Sequence, residues 1–126
     1  MSLFAKSKDD VTPINWGNGT SHRLLVEADN MGFALAHTVV SAGTQSQLEY
    51  RSNLEACYCI AGSGSVEDTE GNVIKLRPGV LYALNNHDPH ILSASDFEDM
   101  ELISVFNPPI RGDERHELSE DGFSSY

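Results

Sequence analysis

From Arg23 onward the chain is cut into short apolar runs by turn-forming residues, and none of these runs carries the three-to-four-residue spacing of a long amphipathic helix. "RLLVE" (Arg23 to Glu27) and "GFALAHTVV" (Gly32 to Val40) flank the turn "ADNM", and "SAGT" breaks the chain again. "EACYCIAG" follows from Glu55, then "GSVED", the turn "TEGN", "VIKL", the turn "RPG", "VLYAL" and, after a polar loop, "HILSA". "MELISVFNPP" closes the series, its two prolines unable to donate to a ladder. About eight strands spaced roughly 8 to 12 residues apart predict an all-β antiparallel sandwich or barrel, and within that class a double-sheet jelly-roll barrel. A chain of 126 residues supports one apolar core, so residues 1–126 are expected to form one domain, with 111–126 as a polar, acidic tail or lid.

Eight basic against nineteen acidic residues give a formal charge of -11, which repels phosphate backbones and excludes nucleic acid and anionic membranes as partners. No stretch of about eighteen apolar residues spans a bilayer, and "MSLFAKSKDD" lacks the apolar centre of a secretion signal, so the expected compartment is the cytoplasm. Cys57 and Cys59 are one residue apart. In a strand they point the same way, a geometry ill suited to a mutual disulfide, and they read as reduced thiols and small buried hydrophobes.

Strand parity sorts the candidate chemistry. In "EACYCI" Glu55, Cys57 and Cys59 share one face, and in "VLYAL" Val80, Tyr82 and Leu84 share one. If Glu55 and Tyr82 both face inward, a carboxylate and a phenol share a cavity, and a metal ion is one partner that offsets burial of the carboxylate. Each also has a plain alternative: Glu55 paired with Arg23, Tyr82 an amphipathic core residue, and His90 a loop histidine. His87 reads as a structural loop histidine and Asp88 as a cap or turn residue.

Glu55-x6-Gly62 followed by Pro78-Gly79-x2-Tyr82-x3-Asn86 resembles the two-part cupin signature, with Tyr82 where the second part normally carries histidine. The combination "SHRLL", "YRSNLEACYCIAGSG", "RPGVLYALNNHDPH" and "FNPPIRGDERH" is similar, over about four fifths of the chain, to a narrower cupin family, the ectoine synthases. The resemblance implies an iron(II) site formed by Glu55, Tyr82 and His90. Two oxygens and one imidazole suit Fe(II) and also Zn(II). It implies substrate contacts at Arg23, Thr38, Tyr50, Phe106, Glu114 and His116, with Tyr82, Glu114 and His116 as catalytic residues, and a homodimer. The activity implied is closure of N-γ-acetyl-2,4-diaminobutyrate, a small amino acid derivative, to ectoine with loss of water.

At three substrate-side positions the chain departs from the family: its tryptophan falls on Gly19, an asparagine on Ala36 and a histidine on Asn53. Trp16, three residues earlier, is placed to fill the tryptophan's space from a shifted loop. The departures keep two alternatives open: a diverged metal-binding cupin enzyme acting on another small acylated amino acid or cyclic amidine, and a non-catalytic cupin that binds a small molecule.

Overall fold

The computed structural model describes residues 3–112 in full and, beyond them, the backbone of two short strands, Glu117–Leu118 and Ser124–Ser125. The strands are β1 (Ile14–Asn15), β2 (Gly19–Leu25), β3 (Ala34–Val40), β4 (Gln45–Leu48), β5 (Leu54–Ala61), β6 (Gly64–Glu67), β7 (Val73–Leu76), β8 (Leu81–Leu84), β9 (His90–Ala94), β10 (Met100–Asn107), β11 (Glu117–Leu118) and β12 (Ser124–Ser125). They form two six-stranded sheets, ordered β1-β2-β3-β10-β5-β8 and β11-β12-β4-β9-β6-β7. This is the expected jelly-roll barrel. Its sheets share one core to which β3, β5, β8 and β10 contribute from the first, and β4, β6, β7 and β9 from the second.

Polarity is graded along the barrel. On β10 the inward residues are Met100, Leu102, Ser104 and Phe106, and on β5 they are Glu55, Cys57 and Cys59, with Leu102 paired to Cys59 and Phe106 to Glu55. Met100 and Val40 pair at the far end, where Val66, Leu76 and Ala94 complete an apolar plug. Burial of these side chains, at about 1.5 to 3 kcal/mol each for the larger ones, supplies the stability that lets the other end of the barrel carry polar groups.

Sequence and structure differ at several boundaries. β2 begins at Gly19 rather than Arg23 and stops at Leu25, because Glu27–Asp29 coil into a 3-10 turn closed by Asn30 in the left-handed region. β4, "QSQL", went unpredicted: Ser46 and Leu48 face inward, but only one of its four residues is apolar. The tail contributes strands: β11 pairs with β12, and β12 lies parallel to β4 through Ser124 and Leu48.

Gly19 is fixed by a close backbone approach. A Cβ added there would lie 1.8 Å from the Val39 carbonyl oxygen, inside any permitted contact. Gly19→Ala is therefore expected to cost on the order of 2 to 3 kcal/mol, the scale of an overpacking strain, read as a lowered urea midpoint. A wild-type midpoint would contradict the β2–β3 packing described.

Candidate metal centre and cavity

Alternation along β5 turns Glu55, Cys57 and Cys59 inward and leaves Tyr58 and Ile60 outward and exposed. Tyr82 on β8 is the register partner of Cys57, and at 3% exposure it is as buried as the core around it. His90 opens β9 in the opposite sheet, across from Leu48, and is 1% exposed. The barrel thus brings the three sequence-predicted ligands together: Glu55 Oε1 and His90 Nε2 are 3.7 Å apart, and the Tyr82 and His90 rings are 6.4 Å apart.

The protons define what this cluster can bind. His90 Nδ1 lies 3.1 Å from the Asp88 carbonyl oxygen, which only accepts, so Nδ1 carries the hydrogen and Nε2 presents a lone pair. Burial pushes the Glu55 carboxyl up to about 8, with a smaller opposing effect from the Cys57 thiol. Burial likewise lowers the His90 imidazole and raises the Tyr82 phenol well above the usual range. Glu55 Oε1, Tyr82 OH and His90 Nε2 are all buried without a hydrogen-bond partner. Three unmet polar atoms, two of them facing at 3.7 Å with no conventional donor between, fit a divalent cation: two oxygens and one imidazole are a donor set that Fe(II) or Zn(II) accepts. Among the described residues no group of three or more His, Cys, Asp and Glu side chains is placed to hold a metal, so the set depends on Tyr82.

Glu55 and Tyr82 face a cavity with about 340 Å³ of empty space, its mouth included. Thr38, Tyr50 and Phe106, the substrate contacts the family resemblance implies, line it, Tyr50 and Phe106 in edge contact at 5.4 Å. Arg23 is buried on β2 with Nε donating to Ser21 Oγ at 3.2 Å; Ser21, rather than Arg23 itself, lines the cavity. A bulge between Arg23 and Leu25 lies next to it, a device that re-aims side chains at sites. His90 closes the other side, where with Tyr82 it floors an outer groove.

Sequence reasoning missed Ser104, whose Oγ lies 3.0 Å from Thr38 Oγ1 and 3.3 Å from Cys57 Sγ. The only signal for it was parity: a polar residue at an inward position of a strand otherwise lined by apolar groups.

The departures resolve separately. At Gly19, where the family's tryptophan falls, the Val39 carbonyl oxygen occupies the space of a Cβ, so this backbone admits only glycine there. Trp16 lines the cavity instead, its amide donating to Gly19 O at 3.1 Å in the turn that swings it inward. Ala36 is buried as the register partner of Arg23. Asn53 Nδ2 donates to the Pro108 carbonyl at 2.6 Å, so this side chain ties two loops. His87 is the structural loop histidine expected, with φ 59° and Nδ1 against two carbonyls. Glu114 and His116 lie outside the described residues.

The family model described as ectoine synthase matches residues 3–125. The L-ectoine synthase of Desulfosudis oleivorans is 49% identical over 109 residues, covering 86% of this chain and 81% of that protein. That of Wolinella succinogenes is 44% identical over 122 residues, covering 91% and 92%. Among solved structures, ectoine synthase from P. lautus superposes with a TM-score of 0.82 at 36% identity, covering 87% of this chain and 81% of that one. A predicted oxalate decarboxylase from Thermotoga maritima shares the fold alone, with a TM-score of 0.72 at 17% identity over 83% of this chain and 99% of that one.

The raised Glu55 carboxyl sets a pH dependence for the metal-free protein. Its affinity for the proton rises on folding from 4.5 to about 8, so the stability it contributes is complete below 4.5 and is lost as pH climbs through about 8. In chelator, wild-type stability should fall across that window by up to about 1.4 kcal/mol per pH unit, and Glu55→Gln should flatten the fall. Parallel urea midpoints for the two proteins from pH 5 to 9 would contradict the buried, unpaired carboxyl.

Proposed function

Since the chain belongs to the ectoine synthase family, we propose that it is a lyase that closes N-γ-acetyl-2,4-diaminobutyrate to ectoine with release of water, and that it does so with a divalent metal. The observation that carries the metal dependence is the trio of buried, unpartnered atoms, Glu55 Oε1, Tyr82 OH and His90 Nε2. The closure forms a bond between the α-amino nitrogen and the acetyl amide carbon. The amide oxygen departs as water with two hydrogens drawn from the nitrogens. When bound by Glu55, Tyr82 and His90, Fe(II), with Zn(II) as the alternative, supplies Lewis-acid polarisation of the otherwise unreactive amide carbonyl.

This chain's residues do the rest. By family resemblance Arg23, buried behind Ser21 with its Nε donating to Ser21 Oγ, is assigned to pair with the substrate carboxylate and hold the molecule folded for attack. Thr38 and Tyr50 offer polar contacts, and Phe106 and Trp16 form apolar walls that limit water, favouring dehydration over hydrolysis. Proton transfer is assigned to Glu114 and His116 by family resemblance. A second reading, the same cyclisation on a different acylated diamine, is favoured by Ala36 and Asn53, which replace two family hydrogen-bonding side chains.

A homodimer is the proposed assembly, supported by the exposed Leu54, Tyr58, Ile60 and Leu81 on neighbouring strands β5 and β8. The cytoplasm is the proposed compartment, supported by the free thiols of Cys57 and Cys59. Among the described residues no helix is long and apolar enough to cross a membrane.

Fe(II)-loaded protein given N-γ-acetyl-2,4-diaminobutyrate is expected to form ectoine, followed by chromatography. Tyr82→Phe and Glu55→Ala should lose at least about a hundredfold in rate, as loss of a group stabilising the reacting oxygen does. Elemental analysis should find iron depleted in Glu55→Ala and His90→Ala. Iron content unchanged in both would remove the metal reading, and no ectoine from metal-loaded wild type would remove the substrate assignment. Arg23→Lys, which loses the fork that grips a carboxylate, should raise KM by about tenfold with a smaller change in kcat; an unchanged KM would take Arg23 out of substrate binding.

A further inference from the structure

Glu55 belongs to β5, whose ladder partners are β10 and β8, whereas His90 belongs to β9, whose partners are β4 and β6. No ladder joins the two strands, so backbone pairing within either sheet does not fix the 3.7 Å between Glu55 Oε1 and His90 Nε2. Something that crosses between the sheets near both ligands must set it. His87 does cross. It lies three residues before His90, and its Nδ1 reaches the carbonyl oxygens of Tyr50 at 2.9 Å and Asn53 at 3.1 Å, in the turn that leads into β5 and Glu55. Both partners are carbonyls, so Nδ1 carries the hydrogen and is a shared donor. Asn53 in turn holds Pro108 O at 2.6 Å, which ties the same turn to the end of β10.

We infer that His87 is a positioning residue for the metal ligands: its imidazole pins the segment before β9 to the segment before β5 and so sets the gap between Glu55 and His90. The inference rests on the metal reading of those two residues. His87 holds φ 59°, in the left-handed region that asparagine, aspartate and histidine enter more readily than other non-glycine residues, and this places its ring at the end of the loop. An imidazole that only filled space would not need its Nδ1 directed at two carbonyls of one facing turn. Partners of this kind, which hold metal-bearing side chains in place without touching the ion, typically change metal affinity by about 10- to 100-fold when removed.

Side-chain shape makes the inference testable. Asparagine tolerates the left-handed conformation and carries its Nδ2 donor at the same branch as histidine Nδ1; glycine tolerates the conformation with no donor; aspartate keeps the asparagine shape but presents an acceptor to the two carbonyls. Wild type, His87→Asn, His87→Gly and His87→Asp would be loaded anaerobically with Fe(II), freed of excess metal and mixed with a coloured Fe(II) chelator. Release rates would be read beside thermal melts of the metal-free proteins. The expected result is release from His87→Asn within about twofold of wild type, and release from His87→Gly and His87→Asp at least about tenfold faster. Equal release from Asn and Asp would overturn the inference, because shape without donor would then suffice; that pair decides the matter if the glycine variant does not fold. Glu55→Ala, run alongside, separates the two ideas. If it holds iron like wild type the metal site itself is wrong, and if it loses iron while Asn and Asp match wild type only the positioning role falls.

Discussion

A carboxyl group removed from water must either keep its proton or meet a positive charge, and inside this barrel Glu55 faces an imidazole nitrogen that supplies neither. The His90 tautomer is committed by the Asp88 carbonyl, which leaves lone pair opposite oxygen. Much of the surrounding architecture follows from tolerating that arrangement. The apolar plug of Val40, Met100, Val66 and Leu76 supplies burial at one end of the barrel, and at the other polar side chains line a cavity. Replacing this trio with well-packed apolar residues of similar size would, on general grounds, leave the fold as stable or more so. Its retention makes physical sense as a binding device, a reading that agrees with the family to which the chain belongs.

The parts of the site that lie on regular strands were legible in the sequence, because period-two alternation fixes facing. Parity grouped Glu55 with Cys57 and Cys59, and Tyr82 with Val80 and Leu84, leaving open which face is inward; the structure turns Glu55 and Tyr82 inward and places Thr38, Tyr50 and Phe106 along the cavity. Legibility failed where a tertiary neighbour, rather than the local chain, decides conformation. "QSQL" is a strand because β9 and the tail offer it ladders, not because its residues prefer one. At Gly19 and Asn53, where the family carries tryptophan and histidine, the spacing gave no sign that the Val39 carbonyl fills the place of a side chain or that Asn53 ties two loops. Neither contact leaves a trace in spacing. The same holds for Ser104 and for the crossing contact of His87: each joins residues more than thirty positions apart.

The structural relatives separate what the barrel requires from what the chemistry requires. The fold is still shared at 17% identity, with a TM-score of 0.72 against 0.82 at 36%, so the jelly roll itself constrains sequence only loosely. Glu55, Tyr82 and His90 lie at the end of the barrel where the loops before β5 and before β9 meet. These loops are built on turns whose residues adopt special backbone conformations, such as His87, and they carry more of the specificity than the strands between them.

Trp16 sits in a different mechanical setting from every other cavity residue. It follows β1, two residues long and paired on one side only, in a turn held by its own amide to Gly19 O, by the Gly17 amide to Asn15 Oδ1 and by Asn18 Nδ2 to Gln45 O and Ser46 Oγ. These are turn contacts rather than strand ladders, so insertions or deletions just ahead of Gly19 would move a bulky ring in or out while the central ladders stay in register. Descendants of such a chain would have a cheap evolutionary dial for the size of molecule they admit, adjusted by loop length at the margin and never by rebuilding the middle.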